Sequence, residues 1–160
     1  KFPVECVKTM DTIAKKVEST IKYWKRFRNR VYEEPSNNYE FHINHSICAS
    51  AMNVEAKLIL TYTECGDTPR LISSFGPQCP IYAVTKNEIT YRQLGLSWNI
   101  RPILVKEEGD NIEKILEKAI ENLKAEGIIT TDDCIIVSGG KTELAAQSAL
   151  SRMIGGVIKI

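Results

Sequence analysis

Apolar positions along the chain follow helical spacing near the start and short continuous runs further on. The first apolar residues recur three or four positions apart on one face: Val4, Val7, Met10, Ala14, Val17, Ile21 and Trp24. This spacing predicts a long amphipathic helix that begins after Pro3. A helix with such an apolar face needs a surface to pack on.

The rest of the chain alternates between helical spacing and short apolar runs. Helices are predicted over His42–Glu55, Arg70–Phe75, Asn87–Leu94, Ile112–Leu123 and Leu144–Met153. Strands are predicted at Leu58–Leu60, Ile81–Val84, Ile103–Val105, Cys134–Val137 and Val157–Ile160. The alternation predicts a three-layer α/β fold, in which a mainly parallel sheet of about five strands carries helices on both faces. The long N-terminal helix precedes this fold.

A polar stretch, EEPSNNYE at Glu33–Glu40, interrupts the apolar pattern with one proline, one serine and two asparagines. This composition is typical of a linker. We therefore expect a domain boundary there, with residues 1–33 on one side and residues 38–160 on the other.

The turn at Thr63–Thr68 connects the first predicted strand to a helix. Thr68 and Pro69 stand where an N-cap hydroxyl and a first-turn proline belong. Backbone N–H groups at such a helix start can bind an anion, yet Glu64 and Asp67 place two negative charges in the same turn. Two interpretations stay open here: a phosphate cradle, or a turn that only connects the strand to the helix.

Charge adds one local feature to this picture. The 21 Lys and Arg residues nearly balance the 20 Asp and Glu residues, so the net charge is +1 and gives no steering toward polyanions. A basic run from Lys22 to Arg30 contains three aromatic residues, a pattern that could bind nucleic acid or a membrane surface. Basic residues at a helix C-terminus also have a purely structural explanation, which we favour. We expect neither a nucleic-acid partner nor a membrane.

The residues that carry chemistry form no recognised catalytic or metal set. Five cysteines form no C-x-x-C pair, and His42 and His45 have no partner ligand at a recognised spacing. We therefore predict no metal site and no catalytic residue in this chain. An odd number of cysteines, scattered along the chain, is typical of a reducing cytoplasm. No 18-residue apolar run or signal peptide is present.

Three motifs, in one order, resemble the C-terminal end of the pyruvate kinase family. KFPVECVKTM at Lys1–Met10 resembles the family's G-K-Y-P-x-E-A-V-x-x-M stretch, which opens the last helix of the catalytic barrel. TECGDTPRL at Thr63–Leu71 resembles its T-x-S-G-x-[ST]-[AP]-R-L loop. PQCPIYAVTKNEITYRQLGLSWNIRP at Pro77–Pro102 resembles its P-N-C-P-I-x-x-V-T, R-x-L and G-V-x-P succession.

The resemblance implies that residues 1–33 are the last barrel helix with its connector, and that residues 38–160 are the C-terminal regulatory and interface domain. In the family, phosphoryl transfer from phosphoenolpyruvate to ADP gives pyruvate and ATP in glycolysis, and it uses barrel residues with magnesium and potassium. Those residues would lie upstream of Lys1, so we expect the chain alone to be inactive and to hold no cofactor. The implied partners are the chain's own catalytic barrel and further subunits of a homotetramer.

The resemblance also implies a pocket for an activating sugar phosphate. Carried over by position, its residues are Thr63, Cys65, Gly66, Thr68, Ser138 and Gly139. Family members that bind fructose bisphosphate tend to have serine in place of Cys65 and no flanking acids, so Glu64 and Asp67 are expected to repel a bisphosphate. The alternative function is a stand-alone phosphate- or nucleotide-binding module, in which the N-terminal apolar stripe would be buried.

Overall fold

The structure is a computed structural model that describes residues 2–30, 38–106, 112–138 and 156–159. Contacts within the chain divide it into two units, residues 1–32 and 33–160. The assignment of these units to a barrel helix and a C-terminal domain stays a prediction. The predicted helix over 144–153 lies outside the described residues.

The first unit contains two helices where one long apolar stripe runs through the sequence. Helix α1 spans Pro3–Glu18 and helix α2 spans Tyr23–Asn29. They are separated where both the amide and the hydroxyl of Thr20 donate to the carbonyl of Val17, at 3.0 and 2.8 Å. The long N-terminal helix is therefore present, but the last two residues of the stripe lie beyond its end.

The second unit alternates helices and strands in the predicted order. Its described helices are α3 Tyr39–Asn53, α4 Asp67–Phe75, α5 Glu88–Leu94 and α6 Ile112–Ala125. Its described strands are β1 Leu58–Tyr62, β2 Ile81–Thr85, β3 Ile100–Leu104, β4 Cys134–Ser138 and β5 Gly156–Lys159. These elements confirm the predicted α/β class.

The five strands form one sheet in the order β3-β2-β1-β4-β5. The first four are parallel, and β5 pairs antiparallel with β4, so the sheet is mainly parallel as predicted. Strand β3 begins three residues earlier than the sequence indicated. It passes through Pro102, a residue tolerated there because β3 lies at the sheet edge and one side of its backbone needs no partner.

Alternate residues of the central strand enter two separate cores. Ile59 packs with apolar residues of α3, α4 and α5 on one face of the sheet. Leu58, Leu60 and Tyr62 pack with the apolar stripe of α6 on the other face. This period-two division explains why every residue of β1 is buried, and it confirms helices on both faces.

Candidate functional site at the carboxyl ends of the central strands

The strand order places a crevice beside the turn at Thr63–Thr68. The chain builds β1, β2 and β3 outward in one direction and then returns to place β4 on the other side of β1. Open parallel sheets bind ligands where the direction of winding changes, outside the carboxyl ends of the strands. Thr61 of β1 and Ser138 of β4 stand opposite each other at that point.

The turn after β1, here named the 63–68 loop, is held by its first residue. The Thr63 amide donates to the Val84 carbonyl at 2.9 Å, which continues the β1–β2 pairing by one residue. Its hydroxyl oxygen accepts from the Gly66 amide at 2.8 Å. Thr63 is buried, so both bonds are shielded from water. The loop is thus a closed turn whose central amide already has an acceptor.

The helix after the loop begins earlier than the sequence predicted. Gly66, at φ +90, is the N-cap residue of α4, and no side chain caps the helix. The prediction that Thr68 is the N-cap is wrong, because the left-handed conformation of Gly66 turns the chain into the helix before Thr68 is reached. Pro69 still lies within the first turn, where its missing N–H is not needed.

Helix α5 and Arg70 hold the other side of the 63–68 loop. The Thr90 hydroxyl donates to the Glu64 carbonyl at 2.8 Å. The Arg70 guanidinium donates to the Cys65 carbonyl at 3.1 Å and to the Gln93 side chain at 3.2 Å. Both carbonyl oxygens on this side are therefore engaged by side chains.

Charge at the loop is acidic on its exposed surface. Glu64 and Asp67 are exposed, and Asp67 lies 3.8 Å from Arg70 in a pair open to solvent. Such an exposed pair contributes little to stability. The exposed surface of the loop therefore carries two carboxylates beside the start of α4.

The predicted site residues lie in different surroundings. Thr63, Gly66 and Ser138 are buried, Thr68 is half-buried and Cys65 is exposed. The strand register brings the β1 and β4 ends together, but Gly139 lies outside the described residues. The binding role of these residues stays a prediction.

The other candidates from the sequence are a metal site, a membrane segment and the basic run at Lys22–Arg30. In the described parts of the chain, no three His, Cys, Asp or Glu side chains group as a metal site would require. None of the helices that could be searched has the length and apolar character needed to cross a membrane. In the basic run, Trp24 stacks on Phe27 at 5.8 Å, and the Arg28 guanidinium lies 5.1 Å from the Trp24 ring. Its aromatic surface is thus engaged within the first unit.

Comparison with known proteins identifies the family to which this arrangement belongs. The family model of the pyruvate kinase alpha/beta domain matches residues 42–150, which include all four parallel strands. The chain belongs to the pyruvate kinase family. The resemblance stated from the three motifs is therefore confirmed.

Curated relatives give the same family name. The chain is 34% identical over 139 residues to pyruvate kinase of Sporosarcina psychrophila, and the match covers 87% of this chain and 23% of that protein. It is also 34% identical to pyruvate kinase of Clostridium acetobutylicum, covering 87% of this chain and 29% of the relative. The chain thus spans about a quarter of the length of the pyruvate kinases it matches.

Solved pyruvate kinases share the fold. A pyruvate kinase from Cryptosporidium parvum matches with a TM-score of 0.81 at 24% identity, over 99% of this chain and 30% of that chain. The Cryptosporidium parvum enzyme in complex with ADP matches with a TM-score of 0.79 at 25% identity, over 99% of this chain and 31% of that one.

The sequence did not identify Arg70 and Thr90 of this pyruvate kinase α/β domain as site residues. Arg70 was visible only as a letter of the family motif, and nothing in the pattern predicted its bonds to Cys65 and Gln93. Thr90 lies 26 residues from its partner Glu64. Only the packing of α5 beside the loop reveals that it belongs to the site.

Proposed function

We propose that this chain is the C-terminal regulatory and subunit-interface part of a pyruvate kinase. The whole enzyme would transfer a phosphoryl group from phosphoenolpyruvate to ADP, giving pyruvate and ATP in cytoplasmic glycolysis. The observation that carries this proposal is the match of residues 42–150 to the pyruvate kinase alpha/beta domain. The curated pyruvate kinases that share 34% identity support it.

The catalytic residues and the magnesium and potassium ions of the whole enzyme would belong to a barrel domain outside the matched segment. We therefore expect this chain alone to have no pyruvate kinase activity.

The apolar face of α1 supports a barrel partner over a stand-alone module. None of the residues of α1 is buried. Val4, Val7 and Met10 are 59–68% exposed, where a self-contained module would bury them. In the proposal, this stripe packs on the chain's own catalytic barrel, as the resemblance of Lys1–Met10 implies.

The edge of the sheet offers a surface for subunit contact. Strand β5 ends the strand order, and it is antiparallel to β4, its one neighbour within the described sheet. An edge strand presents unpaired backbone N–H and C=O groups that can pair with another chain. In the proposal, this edge contributes to a homotetramer.

The regulatory part of the proposal concerns the 63–68 loop and a phosphorylated effector. Glu64 and Asp67 oppose a bisphosphate, because a carboxylate about 4 Å from a phosphate charge costs about 4 kcal/mol at an effective dielectric of about 20. A sugar monophosphate carries less charge and would meet less repulsion. This weighs against fructose bisphosphate and in favour of a smaller phosphorylated ligand.

A chimera tests the proposed function directly. In it, residues 1–160 replace the matching C-terminal segment of the Clostridium acetobutylicum pyruvate kinase. The expected result is a tetramer that forms pyruvate and ATP from phosphoenolpyruvate and ADP with magnesium and potassium, whereas the 160-residue chain alone is inactive. A matched chimera carrying Val7→Glu should lose assembly or activity, while one carrying Lys8→Glu should keep both. A folded, unmutated chimera without activity would contradict the proposal.

A further inference from the structure

Two side chains that lie on neighbouring helices, and not in the 63–68 loop, bind peptide carbonyls of the loop. Thr90 binds the Glu64 carbonyl from α5, and Arg70 binds the Cys65 carbonyl from α4. The two carbonyls belong to consecutive residues, and each accepts a hydrogen bond from a different helix.

In a trans peptide, the carbonyl of one residue and the N–H of the next point in opposite directions. No peptide bond of the described chain is cis. When Thr90 holds the Glu64 carbonyl, the Cys65 N–H must therefore point away from α5. When Arg70 holds the Cys65 carbonyl, the Gly66 N–H must point away from the guanidinium. The observed bond from the Gly66 N–H to the Thr63 hydroxyl, at 2.8 Å, agrees with this orientation.

The side chain of Arg70 is itself fixed. Its second donor nitrogen binds Gln93 of α5 at 3.2 Å, so α4 and α5 are tied together beside the loop. The space is also filled, because a Cβ placed on Gly66 would lie 3.1 Å from Arg70 Nη1 and 3.2 Å from Leu94 Cδ2. The loop cannot move toward this side without displacing one of these groups.

We propose that Thr90 and Arg70 are positioning residues of the 63–68 loop, which hold two successive carbonyl oxygens and so keep the N–H groups of Cys65 and Gly66 pointing away from the Thr90 hydroxyl and the Arg70 guanidinium, with the Gly66 N–H bonded to Thr63. Helix α5 and the loop then form one mechanical unit. Binding of a ligand to the loop would then be coupled to the position of α5 through these bonds. That last consequence rests on the proposed regulatory function, whereas the orientation of the peptides does not.

Amide hydrogen exchange measured by NMR on the 160-residue chain tests the orientation. Thr90→Val keeps the shape of the side chain and removes its hydroxyl, and Thr90→Ser restores the donor. Loss of the Thr90 hydroxyl frees the Glu64–Cys65 peptide and, through the shared residue Cys65, loosens the adjoining Cys65–Gly66 peptide. We therefore expect Gly66 exchange to accelerate roughly tenfold in Thr90→Val and to recover in Thr90→Ser, because one neutral hydrogen bond is lost. Exchange at Ala83, in the centre of β2, should not change.

Unchanged Gly66 exchange in Thr90→Val would overturn the proposal. If Ala83 also loses protection, the variant has unfolded, and Arg70→Leu decides by the same two amides. Arg92→Gln is the matched control on α5, because Arg92 pairs with Glu88 on the exposed surface. It should leave both amides unchanged.

Titration with inorganic phosphate separates this proposal from the regulatory function. If the wild-type chain binds phosphate, Thr90→Val should weaken the affinity roughly tenfold and Thr90→Ser should restore it. If the wild-type chain binds no phosphate while Gly66 exchange still responds to Thr90→Val, the positioning role stands and the regulatory function fails. If phosphate binds equally to wild type and Thr90→Val although Gly66 exchange responds, the positioning role stands and the coupling of a bound ligand to α5 fails.

Discussion

Gly66 and Gly127, two of the three described glycines with a left-handed backbone, differ in what surrounds them. Gly66 has φ +90 and its Cβ direction is filled by Arg70 and Leu94, whereas Gly127 has φ +68 and open space. An alanine pays about 1 kcal/mol for the left-handed conformation at either position. At Gly66 it must also displace the guanidinium that holds the loop.

We therefore expect Gly66→Ala to lower the free energy of unfolding by about 2–3 kcal/mol and Gly127→Ala by about 1 kcal/mol. Urea denaturation of the two variants and the wild type measures both values. Equal losses would mean that Arg70 moves aside without cost, and the close packing around the loop would then be energetically unimportant.

The buried thiols Cys48 and Cys79 make stability depend on alkaline pH. Burial raises the pKa of Cys48 from 9.0 to about 12 and that of Cys79 from 9.0 to about 11. Between pH 9 and pH 11 the unfolded chain therefore releases thiol protons that the folded chain keeps. Because the unfolded state binds fewer protons there, the free energy of unfolding falls as pH rises, with a slope approaching about 1.4 kcal/mol per pH unit for each thiol.

Chemical denaturation at pH 8 to 10.5 tests this dependence. Cys48→Ala should lower the stability at pH 8 and flatten the alkaline slope by about half, since one of two thiols is removed. Cys65→Ala is the control, because Cys65 is exposed. If Cys48→Ala leaves the alkaline slope unchanged, groups other than this thiol cause the pH dependence.

At the scale of elements, helix α5 depends on its cap because it has only seven residues. The Asn87 side chain accepts from the amides of Ile89 and Thr90, at 2.9 and 3.2 Å. We expect Asn87→Ala to cost about 1 kcal/mol of unfolding free energy and Asn87→Asp to be nearly neutral, because aspartate caps equally well. Thermal unfolding of the two variants measures the difference, and a neutral Asn87→Ala would show that packing alone fixes α5.

The elements also show what sequence reasoning could predict. The sequence predicted a helix over Asn87–Leu94, and the structure has α5 at Glu88–Leu94 with Asn87 as its N-cap and Gly95 as its C-cap. The start of α4 was missed because a glycine in left-handed conformation replaced the expected hydroxyl cap at Thr68. The start of strand β3 was predicted too late, because Pro102 interrupts its apolar run. Proline is tolerated in an edge strand, and the sequence alone does not show that β3 lies at an edge.

At the scale of the whole molecule, the order of elements and the two-sided core follow from local apolar patterns. The candidate site does not, because its geometry depends on contacts distant in sequence. Thr90 meets Glu64 across 26 residues, and Ser138 meets Thr61 through strand register. The motif located the loop correctly, but only the packed sheet and α5 reveal how its peptides are held.

The first 18 residues provide the last test, because α1 contributes no buried residue. Deletion of residues 1–18 should change the free energy of unfolding by no more than about 0.5 kcal/mol, as for exposed surface substitutions. Ile59→Ala, at a fully buried position of β1, should cost about 2–5 kcal/mol in the same urea experiment and so sets its sensitivity. The deletion should also reduce concentration-dependent self-association in sedimentation velocity, since it removes the exposed stripe of Val4, Val7 and Met10. A deletion as costly as Ile59→Ala would mean that α1 stabilises this chain directly, and the argument for a barrel partner would then lose its structural support.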